Sequence, residues 1–293
     1  MIFITYENFD WEIYLNINKD LNNTNTNIYN KETAWYHWLN YGSIEERALS
    51  IYNNTNIHNG RLGNLFFVNM VLHFIAIKYN LKCRYKYFDK FKQLGVCLYV
   101  GKYEYPDNII ITDDNFLNII KSAQYNKTNI IINNENWFQT SEFVTFLNLY
   151  FNIPNNKLNI INNNIFKYRY KSNNDLFVHV RLGDMKHRMN NINYYEDILS
   201  SAKFSKGYIS SDSIKDPLCQ KLIDKYSLII IDKSEIETIM FASTCNIIIL
   251  SGGTFSWLIG FFSFFSKNVY YPSIDNPWYG NIFKNLNWTS VAL

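Results

Sequence analysis

The sequence has little cysteine, and its cysteines form no recognisable metal or disulfide pattern. Cys83, Cys97, Cys219 and Cys245 are scattered along 293 residues and include no C-x-x-C pair. Disulfide frameworks and structural zinc sites need characteristic cysteine spacings. The pattern therefore argues against both and predicts the reduced thiols of a cytoplasmic protein.

Several catalytic signatures are also absent. The chain contains no D-x-D, no G-x-S-x-G and no H-E-x-x-H sequence. The first is the usual carboxylate pair for a metal–diphosphate complex, and the other two mark serine hydrolases and zinc peptidases. If the chain binds a diphosphate, arginine side chains and backbone dipoles have to neutralise its charge, so we expect no metal ion and no other cofactor.

Net charge and hydropathy exclude further classes of protein. The net charge is +3 and no run of five or more like charges occurs, which argues against a nucleic-acid partner. The N-terminal "MIFITYENFDWE" becomes acidic after four apolar residues, unlike a signal peptide. Because the longest apolar stretch, "WLIGFFSFF" at 257–265, is far shorter than the ~20 residues of a membrane span, we expect a soluble, cytoplasmic protein.

What the chain has in abundance is apolar and aromatic residues. Hydrophobic residues make up 47% of the chain, including 23 Tyr and 22 Phe, which is enough for a sizeable core. The many Asn, Ile and Lys residues are typical of AT-rich coding, as in low-GC bacteria or AT-rich viruses, and they indicate no particular chemistry.

Residues 1–54 are predicted to form a separate helical module. "ETAWYHWLNYG" has helical spacing, with Trp35, Trp38 and Leu39 on one side and Gly42 as the helix stop. Its W-x-x-W-L-x-Y-G arrangement resembles short helical modules attached to some glycan-processing enzymes. A helical pair packed on the main body is the plainer interpretation.

The rest of the chain divides into two predicted halves, 55–168 and 169–293, and the Asn-rich interval 152–175 is the candidate boundary. The first half has a long apolar helix at 65–79 and short strands at 108–112 and 129–133. In the second half strands alternate with helices, which predicts a parallel sheet. Its strands are expected at 176–181, 207–211, 228–232, 246–250 and 268–271, and its helices at about 192–202, 213–226, 235–244 and 255–265, with a capping box of Ser234 and Glu237.

Polar residues follow the predicted strands of the second half. In open parallel sheets, ligands bind beyond the carboxyl ends of the strands. The run "LFVHVRLGD" ends one strand with His179, Arg181 and Asp184, and "SSDS" ends the next with Ser211 and Asp212. Asp232 and the segment "SGGTFS" (251–256) end two further strands. The sequence therefore predicts a ligand site at this edge.

Two glycine-bearing loops lead into predicted helices. In 251–256, Gly253 and its neighbour allow unusual backbone angles, and Thr254 and Ser256 begin a helix whose free N–H groups suit phosphate oxygens. "NGRLGN" (59–64) is a second loop of this type. An ordinary N-cap turn explains the first loop, and a turn before a core helix explains the second, without any ligand.

Arg181 is the strongest candidate for binding an anion. Its guanidinium offers a rigid fork of donors that matches a diphosphate, and a buried arginine needs a partner. An internal carboxylate, Asp184 or Asp212, is the alternative partner. His179 is either a ligand of the nucleotide or a core histidine with satisfied hydrogen bonds.

Taken together, "GRLGN", "HVRLGD", "YISSDS" and "CNIIILSGGTFSWLIGFF" resemble, in order, the motifs of the α-1,2-fucosyltransferases of glycosyltransferase family 11. That family reads G-x-L-G-N-Q-x-F, H-x-R-R-G-D, an S-D-D-type strand end and C-x-x-x-I-x-x-x-S-T-F-S-W-W. The resemblance covers roughly 57–290. It implies an α/β, GT-B-like fold of two Rossmann-like halves with parallel sheets, GDP-fucose as donor, a galactoside hydroxyl as acceptor in α-1,2 linkage, inversion, and no essential metal.

The resemblance also implies roles for individual residues. Arg181 is expected to hold the β-phosphate, with Asp184 acting either as the general base or as a group that orients Arg181. The diphosphate or reacting sugar is expected near Gly60, Arg61, Gly63 and Asn64. The remaining substrate-binding residues implied are His179, Ser211, Asp212, Gly253, Thr254, Phe255 and Ser256.

Three positions depart from the family pattern. The second arginine of H-x-R-R-G-D is Leu182, the glutamine after G-x-L-G-N is Leu65, and S-T-F-S-W-W reads "GTFSWL". Protein O-fucosyltransferases also carry a G-R-x-G-N loop and a single motif arginine. The departures leave two alternatives open: a transferase of another GDP-sugar, or a non-catalytic glycan-binding relic of the fold.

Overall fold

The computed structural model describes residues 6, 9, 11–21, 27–45, 47, 54, 56, 58–184, 186, 191–274, 280–284 and 286–293. The chain is an α/β protein with parallel sheets, as the sequence predicts.

The N-terminal module is helical, as predicted. It contains α1 (Trp11–Ile17) and α2 (Lys31–His37), and α2 continues into a π-helical turn, Trp38–Gly42. Phe9, Tyr14, Leu15, Leu21 and Ala34 form a small core of their own, against which Trp35 and Trp38 pack. Leu39, predicted on the same side, is 53% exposed and lies within the π turn, whose spacing differs from that of an α-helix.

The next part of the chain is mostly helical and carries a short sheet. Strands β1 and β2 pair in parallel, with Ile109 opposite Ile130. The Asn-rich interval at the predicted boundary contains helix α7, which begins at Pro154, because proline is favoured in the first helical turn. The elements are α3 (Leu62–Tyr79), α4 (Phe88–Gln93), β1 (Asn108–Ile111), α5 (Phe116–Lys121), β2 (Asn129–Ile132), α6 (Ser141–Asn152) and α7 (Pro154–Asn163).

The remainder forms one six-stranded parallel sheet in the order β5-β4-β3-β6-β7-β8. The predicted parallel sheet is confirmed, and so is the capping box of Ser234 and Glu237. The elements are β3 (Leu176–Val180), α8 (Ile192–Ser201), β4 (Gly207–Ser211), α9 (Pro217–Tyr226), β5 (Ile229–Ile230), α10 (Glu235–Ala242), β6 (Ile247–Ile249), α11 (Thr254–Phe261), β7 (Asn268–Ser273) and β8 (Thr289–Ala292).

Strand β3 lies at the centre of the core, and its residues alternate between two faces of the sheet. Leu176, Val178 and Val180 join one buried cluster, whereas Phe177 joins the other. The cluster that contains Phe177 also contains residues of α3 and α11, and the Phe67 and Trp257 rings lie 4.8 Å apart. His179 points to the same face as Phe177, which is the face where the two helices pack.

Helix α3 is long and apolar enough to cross a membrane, although polar residues such as Asn69 and His73 interrupt its apolar run. However, 78% of this helix is buried within the protein. This burial is consistent with the core helix of a soluble protein. A cytoplasmic location stays a prediction.

Candidate functional site

The site lies where the carboxyl ends of β4, β3 and β6 meet. These three strands are neighbours in the sheet. The backbone N–H of Arg181, just after β3, donates to Ser251 Oγ at 3.1 Å, and Ser251 follows β6. On the other side, Leu182 N–H donates to Asp212 Oδ1 at 3.0 Å. The predicted gathering of polar residues at one edge is therefore present.

Asp212 holds the turn that follows β3. Its carboxylate accepts from the backbone N–H groups of Leu182 and Gly183, the latter at 3.4 Å. A Cβ on Gly183 would lie only 2.7 Å from Asp212 Oδ2, so the carboxylate occupies the space that a larger residue would need. Ser211 Oγ accepts from Ser213 N–H at 2.9 Å and orders the start of the next turn.

Arg181 is paired with Asp184. Its Nη2 lies 2.9 Å from both carboxylate oxygens of Asp184, and its Nε lies 3.2 Å from one of them. Asp184 also accepts from Arg61 Nη2 at 2.6 Å. One carboxylate thus bridges two guanidinium groups that are far apart in sequence, and the cluster carries a net positive charge.

The pKa of Asp184 is lowered from its ordinary value. Desolvation alone would raise it, but the hydrogen bonds and charge of Arg181 and the charge of Arg61 outweigh that effect. A carboxylate with a lowered pKa is a weaker proton acceptor. The pairing therefore favours an orienting role for Asp184 over that of a general base.

The two glycine-bearing loops are in direct contact. A Cβ on Gly63 would lie 2.5 Å from the backbone nitrogen of Phe255 and 2.6 Å from the carbonyl carbon of Thr254. Next to this contact, Thr254 Oγ1 donates to Asn64 Oδ1 at 2.6 Å, and Gln139 Nε2 donates to the same oxygen at 3.1 Å. The structure thus brings together predicted site residues from both halves of the chain.

Both loops end at helix N-termini that have no side-chain cap. Arg61 precedes α3, Gly253 precedes α11, and neither end has a side-chain capping hydrogen bond. The two helices pack against each other at this point. Helix N-termini carry partial positive charge and free N–H groups. Together with the two guanidinium groups, they make this edge attractive to anions.

Gly253 is required by its conformation and by its neighbour. Its φ is +96°, and a Cβ there would lie 2.6 Å from Arg181 Nη1. The guanidinium of Arg181 therefore passes directly over the loop. Its side chain is only 13% exposed, so its position is well constrained.

His179 lies beneath the second loop and is buried. Its Nδ1 is 3.0 Å from Ser256 Oγ, which also accepts from the backbone N–H of Ser251 at 2.8 Å. The Phe255 ring lies 5.3 Å from the imidazole. The pKa of His179 is lowered to about 4, mainly by burial, while the charge of Asp212 opposes the shift and the charge of Arg181 adds to it. The imidazole is therefore neutral near pH 7 and supports the loop from the core, and its contact with a nucleotide stays a prediction.

Two residues at this edge, Gln139 and Trp137, were not predicted from the sequence, and Ser251 was predicted only as part of the 251–256 segment. A Cβ on Gly60 would lie 2.7 Å from the Trp137 ring, which packs edge-on against the buried His58 ring at 4.7 Å. Trp137 and Gln139 follow β2, so the rule of carboxyl strand ends would have found them if applied to the first half.

Among the described residues, no group of three or more His, Cys, Asp or Glu side chains could hold a metal ion. The expectation that the chain works without a metal or another cofactor stays a prediction.

Fold and site define an α/β protein with a cationic cluster at the carboxyl edge of a parallel sheet, where two helix N-termini meet. No protein-family model, curated protein or solved structure matches the chain. The resemblance to the α-1,2-fucosyltransferases thus rests on the four motifs, and the GT-B-like arrangement stays a prediction.

Proposed function

We propose that the chain is a metal-independent, inverting fucosyltransferase that moves fucose from GDP-fucose to a hydroxyl of a galactose-containing glycan. The observation that supports this most is the convergence of two guanidinium groups, Arg61 and Arg181, with the uncapped N-termini of α3 and α11. A diphosphate needs this kind of charge when no divalent metal assists.

In the proposed reaction the acceptor hydroxyl attacks C1 of fucose from the face opposite the diphosphate. A C1–O bond to the acceptor forms, and the bond between C1 and the β-phosphate oxygen breaks, so its electron pair leaves with GDP. The hydroxyl proton passes to a base or to water. Arg181 and the amides of 254–256 stabilise the charge that grows on the β-phosphate. Asp184 orients Arg181 before the donor binds.

The first test is a calorimetric titration with GDP-fucose, without divalent metal, on the wild type and on Arg181→Ala. We expect the wild type to bind and the variant to lose binding. Its transfer rate should fall by about 10²–10³, the usual effect of removing one such donor. Circular dichroism establishes that the variant is folded. Glu104→Gln, which breaks the exposed pair with Lys82, is the matched control and should bind normally.

The outcomes separate the alternatives. Absence of binding to both GDP-fucose and GDP in the wild type contradicts the proposal and leaves a glycan-binding relic. Binding of GDP but not of GDP-fucose points to another GDP-sugar, because the site residues chiefly face the diphosphate. A screen of GDP-mannose and GDP-rhamnose in the same titration then identifies the donor class.

A further inference from the structure

The carboxylate between Arg61 and Arg181 lies where an anionic ligand would be expected to bind. Arg181 is anchored, because its backbone is bonded to Ser251 and its guanidinium lies against Gly253. Asp184 supplies both oxygens to its Nη2 at 2.9 Å. Among the described residues, no other carboxylate contacts either guanidinium. The anion that Arg181 requires is therefore supplied from within the chain.

The two outer members of this cluster are much freer than Arg181. The side chains of Arg61 and Asp184 are 63% and 56% exposed. Ion pairs at such exposure are weak, because water and salt screen them. Asp184 also follows Gly183 in an exposed turn, so its carboxylate can leave without disturbing the core. The Arg61–Asp184 pair therefore costs little to break, whereas the buried Arg181 needs an incoming anion to take the place of Asp184.

A diphosphate competes well for the same donors. It carries more charge than one carboxylate and offers more acceptor oxygens to the two guanidinium forks. The H-x-R-R-G-D position that would hold a second arginine is Leu182 in this chain, and Leu182 is buried in the core. Arg61 provides the second guanidinium from the opposite loop. The cluster can thus exchange its single internal carboxylate for a ligand that engages both arginines.

We propose that Asp184 is an exchangeable internal ligand that occupies the oxyanion site of Arg61 and Arg181, and that a phosphate-bearing ligand displaces it on binding. This inference deepens the proposed function and rests on its diphosphate site. Asp184 holds both arginines in place when no ligand is bound, and its negative charge opposes ligand entry.

The test compares wild type, Asp184→Asn and Arg61→Gln by calorimetric titration with inorganic pyrophosphate and, separately, with GDP. Asp184→Asn should bind pyrophosphate about twofold to fivefold more tightly, the range expected when one exposed competing charge is removed. Arg61→Gln should bind it more weakly. Glu104→Gln, which removes a negative charge from a different exposed pair, should behave like the wild type.

Each outcome decides the inference. Weaker binding to Asp184→Asn overturns it, because Asp184 would then be needed to arrange the arginines. Equal binding of pyrophosphate, or none to either protein, also overturns it. Should GDP still bind in that case, the proposed function stands alone. Tighter pyrophosphate binding without any GDP-fucose binding supports the exchange and rejects fucosyl transfer. If Asp184→Asn does not fold, Asp184→Ser removes the same charge.

Discussion

The two glycine-bearing loops, 59–64 and 251–256, enter buried helices on opposite sides of the site, and they depend on glycine for different reasons. Gly63 lies inside the first turn of α3 with an ordinary φ, and it is needed because the backbone of Thr254 and Phe255 touches it. Gly253 has a φ of +96° and lies against a side chain, Arg181. One glycine permits the packing of two backbones, and the other permits a turn beneath a cation.

The two loops contribute to the site in different ways. The first loop fixes the distance between α3 and α11, so it determines whether two helix N-termini point at one place. The second loop fixes the position of the guanidinium. Changes in the first loop should therefore affect stability most, and changes in the second should affect anion binding most.

Gly63→Ala should have the largest effect on stability. Its Cβ would lie 2.5 Å from a backbone nitrogen that cannot rotate away. The two helices must separate, and we expect a loss of about 3 kcal/mol in the free energy of unfolding, the upper end for overpacked positions. Denaturant unfolding measures it.

Gly101→Ala is the matched control for this prediction. It also brings a Cβ against backbone, 2.4 Å from the carbonyl carbon of Asn80, but far along the chain from the site loops. Both variants should lose stability, and only Gly63→Ala should also weaken GDP binding. Wild-type stability in Gly63→Ala would show that the two helices do not need their close approach.

Low pH should reduce the stability of the protein through His179, which supports the second loop. Its pKa is lowered by burial to about 4, against an ordinary value of 6.5. The stability from keeping the imidazole neutral is complete above 6.5 and is lost as the pH falls towards 4. At pH 5 the free energy of unfolding should be lower by on the order of 2 kcal/mol because of this single group.

His179→Asn tests this linkage. The slope of unfolding free energy against pH reports how many more protons the unfolded state binds than the native state. Between pH 6.5 and 4 this number should be smaller by about one in the variant. The slope does not vanish, because burial also lowers the pKa of His58 and His73 to about 4. His73→Asn is the control: it should flatten the slope equally without changing GDP binding. An unchanged slope in His179→Asn contradicts a buried neutral imidazole.

Gly253→Ala should weaken both folding and anion binding. The positive φ costs an alanine about 1–2 kcal/mol, and the new methyl group displaces Arg181 Nη1. We expect GDP affinity to fall by about tenfold, as for loss of one good charge-assisted hydrogen bond.

Gly280→Ala separates the effect of backbone strain from the effect of displacing Arg181. Gly280 also has a positive φ, +113°, but its nearest neighbour for a Cβ is at 3.5 Å. It should lose comparable stability with full GDP affinity. Equal loss of affinity in both variants would mean that the position of Arg181 over Gly253 does not matter.

Much of the fold could be predicted from the sequence, because buried parallel strands are apolar runs bounded by turn residues. Strand β4 begins and ends at the predicted residues, 207 and 211. Helix α7 lies within an interval rich in Asn, whose composition is typical of loops, and only Pro154 and the buried Ile160 distinguish it. The π turn after α2 has no sequence signal of its own.

The sequence predicts which edge of the sheet carries the site, but it does not predict which side chains contact each other there. Asp184 and Asp212 both follow strands at one edge, so the sequence left both open as partners of Arg181. The turn at Gly183 decides between them, since it lets Asp212 bind the backbone and leaves Asp184 beside the guanidinium. The bridge to Arg61 joins residues 123 positions apart and depends on tertiary packing.

The smallest expected effect concerns the hydrogen bond that joins the two loops. Thr254 Oγ1 donates to Asn64 Oδ1 at 2.6 Å in a largely buried position. Thr254→Val keeps the shape and removes the donor, which should cost about 1 kcal/mol. Thr254→Ser keeps the hydroxyl and should retain most of the stability.

A double-mutant cycle with Asn64→Ala shows whether this contact joins the loops. If the hydroxyl acts through Asn64, the losses from Thr254→Val and Asn64→Ala are not additive, and the coupling should be about 1 kcal/mol. Gln139 also donates to Asn64 Oδ1, so Asn64→Ala alone should cost more than Thr254→Val alone. Additive losses would mean that the loops are held together by the Gly63 backbone contact and not by this hydrogen bond.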